Sequence, residues 1–161
     1  MRYSYILSLC CMLPHTLSAQ SAIERHIWQD ARSFAPISRT ASAITGAITL
    51  SGNPEFATEG SSMGLIFGDG AAVNLKSQGA YWRTWDVGGQ GKQTAEVFRL
   101  SENPGSLENG NTLCGGGDPE PLYAVFYEQS LFGGDPTLKM AVFQSIEPPF
   151  DINSPGLCGT F

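Results

Sequence analysis

Few side chains in this sequence are of the kinds that carry covalent or acid–base chemistry. It has two histidines, His15 and His26, and four cysteines, Cys10, Cys11, Cys114 and Cys158. His15, Cys10 and Cys11 fall in an opening stretch that reads as a secretory leader, so the mature chain keeps one imidazole and two thiols. A serine or cysteine nucleophile needs a base within hydrogen-bond reach, and His26 reads as a surface residue of an N-terminal helix. One histidine and a cysteine pair also fall short of the three or four ligands of a typical zinc site. The chain therefore leans away from enzymes, with no catalytic residue, metal ligand or cofactor assigned.

Carboxylates remain. Asp69, Asp118, Glu120 and Asp135 offer the hard oxygens that calcium takes. Their Gly-Asp-Gly and Gly-Gly-Asp-Pro settings are first of all turn sequences, and no spacing matches a twelve-residue calcium loop. Asp86 and Glu96, facing each other across a hairpin, would be the pair for a carboxylate-dependent glycoside hydrolase.

The positive feature is the run Tyr81-Trp82-Arg83-Thr84-Trp85-Asp86. Strand alternation puts Tyr81, Arg83 and Trp85 on one face and Trp82, Thr84 and Asp86 on the other. One face belongs to the core. If the other is open, the rings around Arg83 form a platform for sugars, aromatic ligands or a protein partner, through stacking and cation–π contact. If both faces are covered, Arg83 runs out to the rim. Tyr81, Arg83 and Trp85 are the candidate ligand-binding residues.

The elements that must position them follow from composition. The chain has 161 residues, the size of one domain, with 19 glycines, 10 prolines and only 15% charged residues, so turns and short strands are favoured over helical bundles. Arg2, the apolar run Tyr5 to Leu13 and Leu17-Ser18-Ala19 make a leader over residues 1–19, with cleavage after Ala19. An acylation box at Leu7-Ser8-Leu9-Cys10 is disfavoured by the bulk of Leu9. The apolar run is too short to span a bilayer, so the mature protein is expected to be secreted or periplasmic, with no membrane insertion. In such an oxidising compartment Cys114 and Cys158 should form a disulfide. Closing that loop of 44 positions contributes roughly 4 kcal/mol in the chain-entropy model. The net charge is −6, and one unit more negative without Arg2, while the basic residues are scattered singly, which argues against nucleic acid.

Residues 20–42 read as an N-terminal helix and linker. Ser21 and Glu24 form a capping box, and Ile23, Ile27, Ala31 and Phe34 recur at helical spacing beside Trp28, ending before Pro36. Residues 43–161 read as a β-domain. Ala43 to Ser51 alternates, and Met63-Leu65-Phe67, the Gly68-Asp69-Gly70 turn and Val73-Leu75 give the clearest hairpin. Ala80 to Val87 and Thr94 to Leu100 flank the turn Gly88 to Gly91. Leu122 to Tyr127 and Leu138 to Phe143 are apolar enough to be buried on both faces, and Gly156 to Phe161 suits a last strand. The fold class is all-β, a single antiparallel barrel or sandwich of about seven or eight strands with one N-terminal helix and one disulfide.

The run Glu108 to Gly115 (ENGNTLCG), Ala141-Val142-Phe143 and the ending Gly156 to Phe161 (GLCGTF) resemble a group of uncharacterised exported bacterial proteins, a likeness that covers the chain from Gly46 onward and implies no activity. Gly79-Ala80-Tyr81 with the following Trp82 resembles, more faintly, the inhibitory strand of periplasmic c-type lysozyme inhibitors, which are small acidic β-barrels with a disulfide. Three functions follow: an exported non-enzymatic binding module for an unidentified ligand or protein partner, a lysozyme-inhibitor-like protein, or a carboxylate-dependent glycoside hydrolase.

Overall fold

The computed structural model describes residues 25–88, 91–115, 121–130 and 134–161. The expected leader, the Ser21–Glu24 capping box, Asp118, Glu120 and part of the turn after Val87 lie outside the described residues. Eight strands run in one antiparallel sheet ordered as in the chain: β1 (Ser33–Phe34), β2 (Ile48–Ser51), β3 (Ser62–Ile66), β4 (Ala72–Arg83), β5 (Gln93–Leu100), β6 (Leu122–Gln129), β7 (Thr137–Gln144) and β8 (Leu157–Thr160). The sheet curls into a half-barrel, which decides between the two all-β architectures in favour of a barrel-like one.

The clearest hairpin forms as its alternation dictates, with Leu65 opposite Val73 and Ile66 opposite Ala72. Gly70 completes the turn at φ +92°, a conformation a side chain would strain. Apolar residues on alternate positions fill the concave side, among them Leu50, Leu65, Leu75, Phe98, Phe126 and Val142. The convex side of β5, β6 and β7 carries a second cluster, including Val97, Tyr123, Val125, Tyr127 and Phe143. That double burial is why β6 and β7 read as continuous apolar runs rather than alternating ones. The expected disulfide is present, joining Cys114 in the loop before β6 to Cys158 in β8, with Cα atoms 4.9 Å apart.

Three expectations are corrected. The helix placed before Pro36 is absent over its described part: the chain makes one 3-10 turn, Ile27–Gln29, then extends into β1. Burial of Trp28 inside the barrel outweighs the helical stripe, and Ala31 lies exposed. The helix falls later, at α1 (Arg39–Ile44), where Ser38 caps Ala41 N–H and Gly46 ends it at φ +60°. The strand expected from Ala43 therefore begins only at Ile48. Finally, the strands read at Val73 and at Ala80 are one, β4, with a bulge between Ser77 and Ala80 and Gly79 at φ +104°. β4 stops at Arg83, so Trp85 is beyond it.

Candidate functional site

The bulge determines which way the aromatic run faces. Beyond it, Ala80 pairs with Glu96 and Trp82 with Thr94 on the concave side, which turns Tyr81 and Arg83 to the convex side. The chain then leaves the strand and tucks Trp85 under the outer cluster, where it is fully buried and donates from Nε1 to Tyr81 O at 3.2 Å. Tyr81 packs against the same cluster and donates its hydroxyl to Gln78 O. Trp85 thus shows no ring face to solvent. The exposed ring of the run is Trp82, at the end of β4 and 60% accessible.

What covers the convex side is the segment between β7 and β8, residues 145–156. Ile152 is its anchor, buried in the outer cluster with its N–H donated to Thr84 O at 3.0 Å. Ser154 Oγ accepts from both Phe150 N–H and Asp151 N–H, at 2.8 and 3.0 Å, and Asp151 Oδ1 accepts from Asn153 N–H. Tyr123 donates its hydroxyl to Ile146 O, and Ser145 Oγ donates to Glu147 O at 2.7 Å. Pro148, Pro149 and Pro155 stiffen the remainder by fixing φ. Where the segment crosses Arg83, the guanidinium carbon lies 4.4 Å from the Phe150 ring centroid. Arg83 also donates from Nη1 to Trp82 O.

This hydrogen-bonded segment holds large apolar groups in water: Ile146 is 72% exposed and Phe150 56%. They border a surface groove of about 590 Å³ together with Pro148, Pro149 and Pro155. Glu147 and Asp151 stand beside them. Of the sequence candidates, half-buried Arg83 meets this segment through the Phe150 ring, while Trp85 and Tyr81 pack in the outer cluster. Ile146 and Phe150 were not among the candidates. Their signal was two bulky apolar residues inside a proline- and serine-rich connection, where alternation has no meaning.

The same cluster perturbs two phenols. Burial pushes the Tyr127 hydroxyl up from 10.0 to about 12, and the Asp86 carboxylate adds to it. Tyr123 is raised too, chiefly by burial, with Arg99 opposing and Glu147 assisting. Asp86 itself accepts from Gln129 Nε2 at 3.3 Å.

The concave side has its own polar arrangement. Glu96 is wholly buried, accepting from Ser77 Oγ at 2.6 Å and from Trp28 Nε1 at 2.9 Å. His26 is not a surface helix residue: it is buried, stacked on Trp28 with centroids 4.3 Å apart, and its Nδ1 lies 3.4 Å from Glu128 Oε1. These contacts plug one end of the half-barrel with the chain's own N-terminal residues. The sheet runs between Asp86 and Glu96, so the carboxylates considered for hydrolysis are not brought together. Asp69 accepts from Ala71 N–H and so builds its turn. Among the described residues no group of three or more His, Cys, Asp or Glu could hold a metal ion, and no helix is long and apolar enough to cross a membrane.

The fold class is thus an antiparallel half-barrel with an outer connection, residues 145–156, anchored across its convex cluster. Comparison with protein-family models, with curated proteins and with solved structures finds no match to this chain.

Proposed function

We propose that the protein is an exported, non-enzymatic module that binds another protein through the surface formed by Ile146, Phe150 and Arg83. The observation that carries this reading is Phe150: a large ring kept in solvent over a guanidinium, on a connection pinned by Ser154 and anchored by Ile152. Exposed clustered apolar groups cost solubility, and their retention in a rigid frame fits a contact surface. Aromatic and arginine side chains are those that dominate binding at interface centres, and a preorganised segment loses little entropy on association. The partner's chemistry follows from charge. With pI about 4.7 and Glu147 and Asp151 beside the apolar pair, the surface suits a basic protein with an apolar pocket.

A c-type lysozyme is the first such partner to test, given the resemblance of Gly79-Ala80-Tyr81. The mature protein at equimolar concentration should slow lysozyme, and Phe150→Ala should weaken the inhibition at least about tenfold, the size of a hot-spot loss. Lysozyme that runs at full rate in the presence of the protein would remove it as partner. Undiminished inhibition by Phe150→Ala would move the contact elsewhere on the barrel.

A further inference from the structure

Residues 145–156 lie over the outer cluster of β5, β6 and β7, and the convex side of β2, β3 and β4 stays open to solvent. Alternation decides which side chains stand there, because Leu50, Met63, Leu65, Val73 and Leu75 point into the concave core. Two neighbouring rows result. In one, Ser51, Gly64 and Asn74 pair in register across β2, β3 and β4. In the other, Ser62, Lys76 and Arg99 pair across β3, β4 and β5. The rows are two residues apart along β3 and β4, about 7 Å.

Lys76 and Arg99 are thus direct cross-strand neighbours, both exposed. Like charges so placed repel and weaken a sheet. Neither is neutralised by a direct partner, since neither enters an ion pair among the described residues. The convex positions of β3, β4 and β5 hold no carboxylate, Glu96 being buried on the concave side. The acids around the pair stand on the connections. Glu59 precedes Gly60, which the Lys76 stem passes. Glu147, like Arg99, acts on the Tyr123 phenol. Glu102 follows Ser101, which is bonded to Asn74.

Beside the two cations, the first row forms a groove of about 220 Å³ lined mainly by Ser51, Gly64, Ile66, Asn74 and Glu102. Gly64 makes its floor, because a Cβ there would run into Ser51 Oγ. The walls offer a hydroxyl, an amide and a carboxylate, a mixed set of donors and acceptors, with the exposed Ile66 as an apolar edge. The volume is below the roughly 300 Å³ at which pockets for drug-sized molecules begin, and suits a single ring.

We propose that this open face binds a saccharide carrying one oxyanion, a carboxylate or a sulfate, with a sugar ring over Gly64 and the anion between Lys76 and Arg99. The Arg99 guanidinium takes two oxygens through parallel N–H bonds, and the Lys76 ammonium adds a point charge. Ring hydroxyls exchange hydrogen bonds with Ser51, Asn74 and Glu102. The net charge of −6 and the flanking Glu59, Glu102 and Glu147 oppose a polyanion, which sets this ligand apart from nucleic acid and from an anionic membrane. The site does not depend on the Phe150 surface.

The probes are cellobiuronic acid and cellobiose monosulfate, with cellobiose as the uncharged control, each titrated into the protein while amide shifts are followed by NMR. At least one of the two acids should shift Gly64, Asn74 and Arg99 and bind at least about tenfold more tightly than cellobiose, as charge-assisted bonds require. The tighter of the two identifies the anion. Arg99→Gln, at an exposed position, should weaken that binding by about tenfold, and Gly64→Ala should weaken it by filling the groove floor. Phe150→Ala should leave it unchanged. Without ligand, Arg99→Gln should melt about 1–3 °C higher, because its repulsion with Lys76 is gone. The proposal is overturned by an absence of shifts at these residues at millimolar sugar, or by cellobiose binding as tightly as the acids. Sodium sulfate that binds as tightly as either acid would reduce the site to a bare anion and likewise overturn it. An Arg99→Gln variant that melts below the parent would assign the cation to the fold, with the same consequence.

Discussion

The two faces of the same sheet are buried by different means. On the concave side, curling brings strand residues against one another, and Trp28 closes one end by reaching Glu96. On the convex side the strands cannot meet, so residues 145–156 are laid across them, held by Ile152 and by hydrogen bonds. On the side covered by the sheet itself the exposed ring is Trp82, at the open end of β4. A cover made by a crossing segment has an outer surface of its own, and here that surface is Ile146 and Phe150. The contrast teaches that a small β-domain can carry exposed apolar side chains without opening its core.

The sharpest break of that contrast is Trp28→Ala. It removes the largest plug of the concave core and one of the two hydrogen bonds to the buried Glu96. Urea unfolding should show a loss of about 3–5 kcal/mol, the range for a buried large aromatic. Ile152→Ala on the convex side should cost about 2–3 kcal/mol, less because the segment also keeps its polar contacts. Hydrogen exchange should then speed up locally, in residues 145–156, before the strands respond.

Alkali separates the faces without mutation. The raised phenols of Tyr127 and Tyr123 lie in the outer cluster. A proton held more tightly in the fold than in the open chain stabilises the fold below pH 10 and ceases to do so as pH climbs through about 12. Thermal unfolding should therefore show a melting temperature that falls across pH 10–12, and Tyr127→Phe should reduce the slope. The smallest effect is Phe150→Ala, with a stability change under about 1 kcal/mol for an exposed side chain, although binding should suffer. A large loss of stability would mean that Phe150 serves the fold rather than a partner.

Much of the sheet was legible because the relevant signals are local. Leu65 and Val73 face inward because they sit two apart from other apolar residues around a Gly-Asp-Gly turn, and Leu122 to Tyr127 is apolar on both faces because both become buried. The cysteine pair needed only its compartment and its count. The site was legible in part. Arg83 was picked out, but alternation carried through to Trp85 assumed a straight strand. Glycine at 79 allows a bulge without compelling one, and nothing nearby in the sequence announces that β4 ends at Arg83.

By itself the sequence determined an all-β chain, its main hairpin, its doubly buried strands and its single disulfide, since each depends on periodicity or on residues a few positions apart. Only the tertiary structure decided that Trp28 would leave a helical stripe to bond Glu96, 68 positions away, and that residues 145–156 would lie across Arg83. Both depend on which surfaces the curled sheet leaves uncovered. That is set by the joint packing of all eight strands, a global condition that no local pattern encodes.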